Sequence, residues 1–129
     1  MADKGVVRTE EAPAPFQGAP YSQAITAGGL VFVAGQLPVA PGSGDVVGES
    51  IQEQTEQVFR NLRAILEAAG SGLDRLVKTT VFLTDLADFA GMNEVYAQHV
   101  GTAPPARSTV EIAALPSGVK LEIEAIGAL

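Results

Sequence analysis

Residues 22–36 read SQAITAGGLVFVAGQ, and this stretch decides the class of fold. Two runs of strand-forming residues, Ser22 to Ala27 and Leu30 to Gln36, flank Gly28-Gly29. Two glycines between two such runs are a strong signal for a tight antiparallel hairpin. The second run is apolar on both faces from Leu30 to Ala34, so we expect both sides of this strand to be covered.

Two helices are predicted after the hairpin. Ser50-Ile51-Gln52-Glu53 is a capping box, and apolar residues follow it at helical spacing as far as Gly70, which is suited to a left-handed cap. A second helix is predicted from Asp85 to Val100. Further strands are predicted at Leu76 to Leu83, Ser108 to Ala114 and Val119 to Ile126. The elements predict an α+β domain in which one mixed β-sheet carries both helices on one face.

The length and composition predict one folded domain. The chain has 129 residues, of which 47% are hydrophobic and 18% charged, enough to bury a sizeable core. Residues 1–18 are polar and proline-rich, and we expect them to form a flexible N-terminal tail. Residues 19–129 are expected to form the single domain.

The composition also excludes several function classes. The chain has no cysteine, which removes thiol nucleophiles, and one histidine, so no zinc site is expected. The histidine, His99, is expected to have a structural role near a helix end. The net charge of −7, with scattered basic residues, disfavours nucleic acid as a partner. Without a leader or a long apolar run, the protein is expected to be cytoplasmic, with no membrane contact.

An arginine and two glutamates near the C-terminus are the candidates for chemistry. Arg107 follows Pro104-Pro105, and Glu122 and Glu124 lie on the last predicted strand. A guanidinium binds a carboxylate through two parallel hydrogen bonds, and a Glu can orient or deprotonate water. The structural alternative is a solvated arginine and two outward carboxylates, which residue types alone favour.

The spacing of these residues predicts how one site could be built. If the last two strands formed a tight hairpin, Glu122 would oppose Glu111, and Arg107 would lie four residues away, or roughly 13 Å. That separation is long for one small substrate. Either the strands are not direct neighbours, or the Arg107 and Glu122 of one site come from different chains, and we favour the second.

The sheet face that points away from the helices is expected to be too polar for a core and partly too apolar for water. A partner surface would resolve this conflict. The residues assigned to this face are Phe32 or Val33, Thr80, Thr109, Glu111 and Glu122.

These residues belong to a longer pattern that runs from about Pro15 to the end of the chain. Its parts are Ala19 to Ala24, Val33 to Pro38, Gln54 to Gln57, Asn61-Leu62, Val77 to Phe89, Asn93, Tyr96, Pro105 to Ser108 and Glu122 to Ala125. With this pattern the chain resembles the reactive intermediate deaminase family, also called the RidA or YjgF family.

The resemblance implies a chorismate-mutase-like fold that assembles as a homotrimer with sites between subunits. It implies hydrolysis of 2-imino acids and enamines, such as 2-aminoacrylate, to 2-keto acids and ammonia, without metal or organic cofactor. The implied catalytic residues are Arg107, which would clamp the substrate carboxylate, and Glu122, which would hold the attacking water. The implied substrate-binding residues are Tyr21, Asn93, Thr109 and Ala34.

Two departures from the family pattern concern the site. Ala34 stands where many relatives have Ser, and Ala19 adds a residue before Pro20-Tyr21. Two alternative functions therefore remain open. One is a non-catalytic trimer that binds small carboxylic acids or a protein partner, and the other is a divergent imine or enamine hydrolase of a dedicated pathway.

Overall fold

The computed structural model describes residues 3–129 and shows one sheet with two helices. The elements in chain order are β1 (Gly5–Val7), β2 (Ala24–Ala27), β3 (Leu30–Gln36), α1 (Ile51–Ala68), β4 (Leu76–Leu83), α2 (Phe89–Val100), β5 (Ala106–Glu111) and β6 (Leu121–Ala128). The strand order is β1-β2-β3-β6-β4-β5, and all neighbours are antiparallel except β4 and β5. The predicted α+β class, with a single mixed sheet and both helices on one face, is confirmed.

Local signals begin and end these elements as the sequence predicts. Gly28 and Gly29 have φ of 59° and 78°, the left-handed values that a tight hairpin turn requires. The Ser50 side chain accepts a hydrogen bond from the Glu53 backbone N–H, and the Glu53 carboxylate accepts one from the Ser50 backbone N–H, so the capping box is present. Gly70 follows α1 with φ of 86°. The second helix is shorter than predicted, because Leu86–Asp88 forms a 3₁₀ turn before α2.

The core lies between the helices and one face of the sheet. Its fully buried side chains include Leu62, Ile65 and Leu66 from α1 and Val81 and Ile123 from the central strands. Each such side chain contributes about 1.5–3 kcal/mol when it leaves water. This packing fixes which residues of each strand face the helices, because side chains alternate along a strand.

The opposite face of the sheet is not covered within one chain, so the prediction that β3 is covered on both sides is wrong for a single chain. Val33 faces the core, whereas Phe32 is 42% exposed on the other face, together with Val110 at 42% and Val6 at 53%. We call this surface the open face; it also carries Thr80, Glu122 and Glu124.

Thr109 and Glu111 do not belong to the open face, which corrects that part of the expectation. They pair with Val81 and Leu83 of β4, and these two residues are fully buried on the helix side. Register partners share a face of the sheet, so Thr109 and Glu111 also lie on the helix side.

The N-terminal segment is also corrected, because residues 5–18 are tied to the domain. Strand β1 pairs with β2, and the buried Gln23 side chain hydrogen-bonds the backbone of Thr9, Ala12 and Pro13. Proline and polar content suggested a loose tail, but the amide of one buried side chain satisfies backbone groups of this segment. Met1 and Ala2, part of the predicted tail, lie outside the described residues.

The last two strands are not a hairpin, so the predicted pairing of Glu111 with Glu122 is wrong. Strand β4 lies between β5 and β6 and pairs with both. The physical reason is the α2 crossover, because a strand-helix-strand unit places its two strands in parallel. That pairing puts β5 at the edge of the sheet and leaves β6 beside β3.

Candidate active site

A cleft beside β3 collects three of the six predicted site residues. Its volume is about 380 Å³, within the range of small-molecule sites. Tyr21, Ala34 and Glu122 lie in its wall. The other lining residues are Pro13, Ala14, Phe16, Gln23, Gly35, Gln36, Leu37, Val39, Leu115 and Pro116. Most of these are apolar, so the half-buried Glu122 carboxylate has partly apolar surroundings.

Glu122 is the one acidic residue in the lining of this cleft. Burial raises the pKa of the Glu122 carboxyl above its ordinary value, and the negative charge of Glu124 adds to that rise. A carboxylate with a raised pKa is a stronger base than an exposed one. The arrangement therefore suits proton transfer to and from a small molecule.

Gly35 makes room for the Glu122 carboxylate. A Cβ at position 35 would overlap Oε2 of Glu122 and lie 2.7 Å from its Cδ. The pairing of β3 with β6 is interrupted here, between Val33 and Gln36. Such a bulge is common beside functional sites, where it redirects the chain.

Tyr21 and Ala34 form part of the same wall. The Tyr21 hydroxyl accepts a 2.6 Å hydrogen bond from the Phe16 backbone N–H, which fixes the phenol against the 3₁₀ turn at Phe16–Gly18. The Ala34 carbonyl accepts a 3.0 Å hydrogen bond from Gln36 Nε2. The side chain of Ala34 is a methyl group, so it offers the cleft no hydroxyl.

Arg107 and Asn93 form a second group, away from the cleft lining. Arg107 Nη1 donates a 2.8 Å hydrogen bond to Asn93 Oδ1. The guanidinium carbon lies 4.7 Å from the ring centre of Tyr96 and 5.4 Å from that of Phe89. Helix α2 therefore holds the arginine through one amide and two aromatic rings.

In one chain, Arg107 and Glu122 lie on opposite faces of the sheet. Arg107 pairs with Thr79, whose hydroxyl contacts Tyr96 on the helix side, whereas Glu122 lies between the buried Leu121 and Ile123 and points to the open face. From the register they are three residues and two strands apart, about 14 Å between Cα atoms. The strands are not direct neighbours, and a single chain does not bring these two side chains together.

The chain matches a known family over nearly its whole length. A family model described as Endoribonuclease L-PSP matches residues 9–129. The chain belongs to this family, which is the YjgF/RidA family. The predicted resemblance is thereby confirmed.

Relatives in the YjgF/RidA family are close in sequence. A RutC family protein of Pyrococcus horikoshii is 53% identical over 95% of this chain and 96% of its own length. A chloroplastic protein of Arabidopsis thaliana named Reactive Intermediate Deaminase A is 51% identical over 98% of this chain and 66% of its own length. Because that relative is named as chloroplastic, membership of the family does not decide the compartment, and the cytoplasmic location stays a prediction.

Solved structures of the YjgF/RidA family are close in fold. A Rid family protein of Yersinia pestis superposes with a TM-score of 0.91 at 44% identity, covering 98% of this chain and all of that one. Escherichia coli TdcF with bound serine has a TM-score of 0.88 at 43% identity and covers 97% of this chain and 98% of that one.

Thr109 lies two residues after Arg107 on β5. Its hydroxyl oxygen is buried and has no hydrogen-bond partner among the described residues. An unsatisfied buried hydroxyl costs about 1–3 kcal/mol. Thr109 lies on the same face of β5 as Arg107 and away from the lining of the Glu122 cleft.

The sequence interpretation missed three parts of the site. The segment at Pro13 to Phe16 lines the cleft, Gly35 accommodates Glu122, and Tyr96 lies under Arg107. Only the last had a local signal, since Phe89, Asn93 and Tyr96 are spaced four and three residues apart and share one helix face.

Within residues 3–129, no group of three or more His, Asp or Glu side chains is arranged to hold a metal ion. His99 Nε2 lies 2.7 Å from Glu56 Oε2, and its ring stacks on Phe59 at 4.6 Å. In the part of the chain that the structure describes, no helix has the length and apolarity to cross a membrane.

Proposed function

We propose that the protein hydrolyses small 2-imino acids, and the enamines in exchange with them, to 2-keto acids and ammonia. The observation that carries the proposal is the half-buried Glu122 carboxylate in a small, largely apolar cleft. The Arabidopsis relative named Reactive Intermediate Deaminase A, at 51% identity, supports it.

In the proposed reaction Glu122 holds a water molecule against the imine carbon. As the water oxygen bonds to that carbon, Glu122 takes one water proton and passes it to the nitrogen, which gives a carbinolamine. The proton of the new hydroxyl then moves to the nitrogen as the carbonyl forms, and the C–N bond breaks to release ammonia. The sum is one imino acid and one water giving one keto acid and one ammonia. An imine is already a strong electrophile, so we propose no metal or organic cofactor.

Arg107 is proposed to bind the substrate carboxylate through two parallel hydrogen bonds. Asn93 would keep the guanidinium oriented, Thr109 would add a contact through its backbone or hydroxyl, and Tyr21 would close the wall of the cleft. The TdcF structure with bound serine supports a site for a small carboxylate in this family.

A homotrimer is proposed to complete the site, with Arg107 from one copy and Glu122 from its neighbour. Two features support this. The two side chains lie on opposite faces of one sheet, and the open face exposes Phe32 and Val110. Arg107 stands on the edge strand β5, the position from which it would reach a neighbouring copy.

Ribonuclease activity, which the family description names, is not what we propose. The net charge is −7, and a phosphate backbone would be repelled rather than attracted. An acidic side chain in an apolar cleft suits a small neutral or protonated centre better than a polyanion.

The test follows keto acid formation from an imino acid made in situ by an amino acid oxidase. Wild type, Arg107→Ala and Glu122→Gln are compared with two matched controls on the exposed surface of α1, Arg60→Ala and Glu67→Gln. The mass of each variant is measured by sedimentation, because loss of the trimer would also abolish activity.

We expect wild type to accelerate hydrolysis above the spontaneous rate. Both site variants should lose most of this acceleration, about 10²-fold or more for removal of a positioned acid-base group, and the controls should keep it. Absence of acceleration with wild type, while 2-ketobutyrate still binds through Arg107, would contradict catalysis and favour a carboxylate-binding module.

A further inference from the structure

Helix α2 supports Arg107 through a connected set of buried groups. The Tyr96 ring lies under the guanidinium at 4.7 Å, and the Tyr96 hydroxyl is 2.6 Å from the Thr79 hydroxyl. Tyr96 is 5% exposed and Thr79 is 1% exposed, so this hydroxyl pair is shielded from water. An edge-to-face contact with Phe59, at 5.4 Å, holds the ring from the core side.

We infer that Tyr96, fixed by Thr79, is a positioning residue that orients Arg107 for its carboxylate ligand. The inference rests on the proposed role of Arg107 as the carboxylate binder. The physical reason is geometric: the Tyr96 ring at 4.7 Å and the Asn93 hydrogen bond restrict how the guanidinium can turn, and a bidentate pair with a carboxylate needs one fixed orientation of its N–H groups.

The Thr79 contact has a specific part in this arrangement. A tyrosine ring on a helix can rotate about two side-chain bonds, and the ring face under Arg107 would be lost if it did. The buried hydroxyl pair removes this freedom because breaking it leaves two polar groups without partners. Asn93, one turn before Tyr96, fixes a second edge of the guanidinium through its 2.8 Å hydrogen bond.

The experiment separates orientation of Arg107 from general damage to the fold. Dissociation constants are measured by calorimetry for 2-ketobutyrate and for 2-oxobutanamide, its neutral amide. The proteins are wild type, Tyr96→Leu, Tyr96→Phe, the double variant Tyr96→Phe/Thr79→Val, and Arg107→Ala. Urea denaturation reports the stability of each variant.

Tyr96→Leu should raise the dissociation constant of 2-ketobutyrate by about 3- to 30-fold. This is the change in affinity that corresponds to the loss of a partly desolvated cation–π contact. The KM of the imino acid should rise by a similar factor, with a smaller change in kcat. Binding of the neutral amide should stay within about twofold, since it does not need the charge of Arg107. Tyr96→Phe keeps the ring and should lie between wild type and Tyr96→Leu.

If Tyr96→Leu does not fold, Tyr96→Phe/Thr79→Val decides, because it removes both hydroxyls together and leaves no buried group unpaired. Its expected effect is a rise of about 2- to 5-fold in the keto acid dissociation constant, the lower part of the cation–π range. An unchanged constant in this variant, or equal weakening of acid and amide, overturns the inference.

Failure of the proposed function gives different results. If Arg107 is not the carboxylate binder, Arg107→Ala itself leaves keto acid binding at the wild-type level. If only catalysis fails, wild type does not accelerate imino acid hydrolysis, whereas the binding comparison of the Tyr96 variants still applies. If Arg107→Ala loses binding and the Tyr96 variants do not, the role of Arg107 stands and only the positioning role of Tyr96 falls.

Discussion

Substitution Gly35→Ala tests whether the placement of the Glu122 carboxylate controls the chemistry. The added methyl would overlap Glu122 Oε2 and lie 2.7 Å from Cδ, whereas ordinary contact begins at 3.4 Å. The carboxylate carbon must therefore move by about 0.7 Å to reach ordinary contact with the methyl group. Oε2 is closer to the methyl, so it must move farther.

A displacement of this size predicts a large kinetic effect with a small effect on stability. A catalytic group misplaced by about 1 Å costs about 10² in rate, so kcat should fall about 100-fold. The φ of Gly35 lies outside the left-handed region, so Ala is allowed there and gains about 0.4–1 kcal/mol through the unfolded state. A strained Glu122 rotamer costs about 0.5–1.5 kcal/mol, which leaves stability within about 1 kcal/mol of wild type.

The assay is keto acid formation from an in situ imino acid, with urea denaturation of the same samples. Gly72→Ala is the matched control, because its Cβ would lie 2.8 Å from Oδ1 of the exposed Asp74, far from the cleft lining. In a Glu122→Gln background, Gly35→Ala should cause no further loss, since both act on one group. A folded Gly35→Ala protein with kcat within about threefold of wild type would refute the reasoning, because the 10² cost of misplacement would be absent.

Four further predictions address the pH dependence of activity, the pH dependence of stability, the buried hydroxyl and the N-terminal segment. Burial and the charge of Glu124 raise the pKa of Glu122, so kcat/KM should fall on the acid side with a midpoint above pH 4.5. A pH-rate profile measures this fall, which should be absent in Glu122→Gln. The raised pKa also means that the ionised Glu122 carboxylate opposes folding. Its favourable contribution to stability is fully present below pH 4.5 and is lost as pH rises through the pKa of the folded state. Glu122→Gln should therefore unfold at a higher urea concentration than wild type at pH 8, with no difference at low pH. Thr109→Val should be neutral or stabilising by up to about 1 kcal/mol in urea melts, because it removes an unpaired buried hydroxyl, and any loss of activity would then report a substrate contact. Gln23→Leu should lower stability by about 1–3 kcal/mol and raise KM, since its amide ties the segment that lines the cleft, and wild-type values in both assays would contradict this role.

The sequence by itself determined the local elements of this protein. The hairpin at Gly28-Gly29, the capping box at Ser50 and the end of α1 at Gly70 are predictable because each depends on neighbouring residues only. The family pattern likewise points to Arg107, Asn93 and Glu122, because it depends on the identity and order of residues along the chain.

Tertiary structure alone decided how those residues are arranged. Whether β5 pairs with β4 or β6 depends on the α2 crossover, and this pairing sets Arg107 on the helix side and Glu122 on the open face. The ordering of residues 9–13 depends on the buried Gln23 side chain, which donates hydrogen bonds to the backbone carbonyls of Thr9, Ala12 and Pro13, ten or more residues earlier in the chain. Such contacts join residues that are far apart in the chain, and their free energy depends on burial and register, which no local pattern encodes.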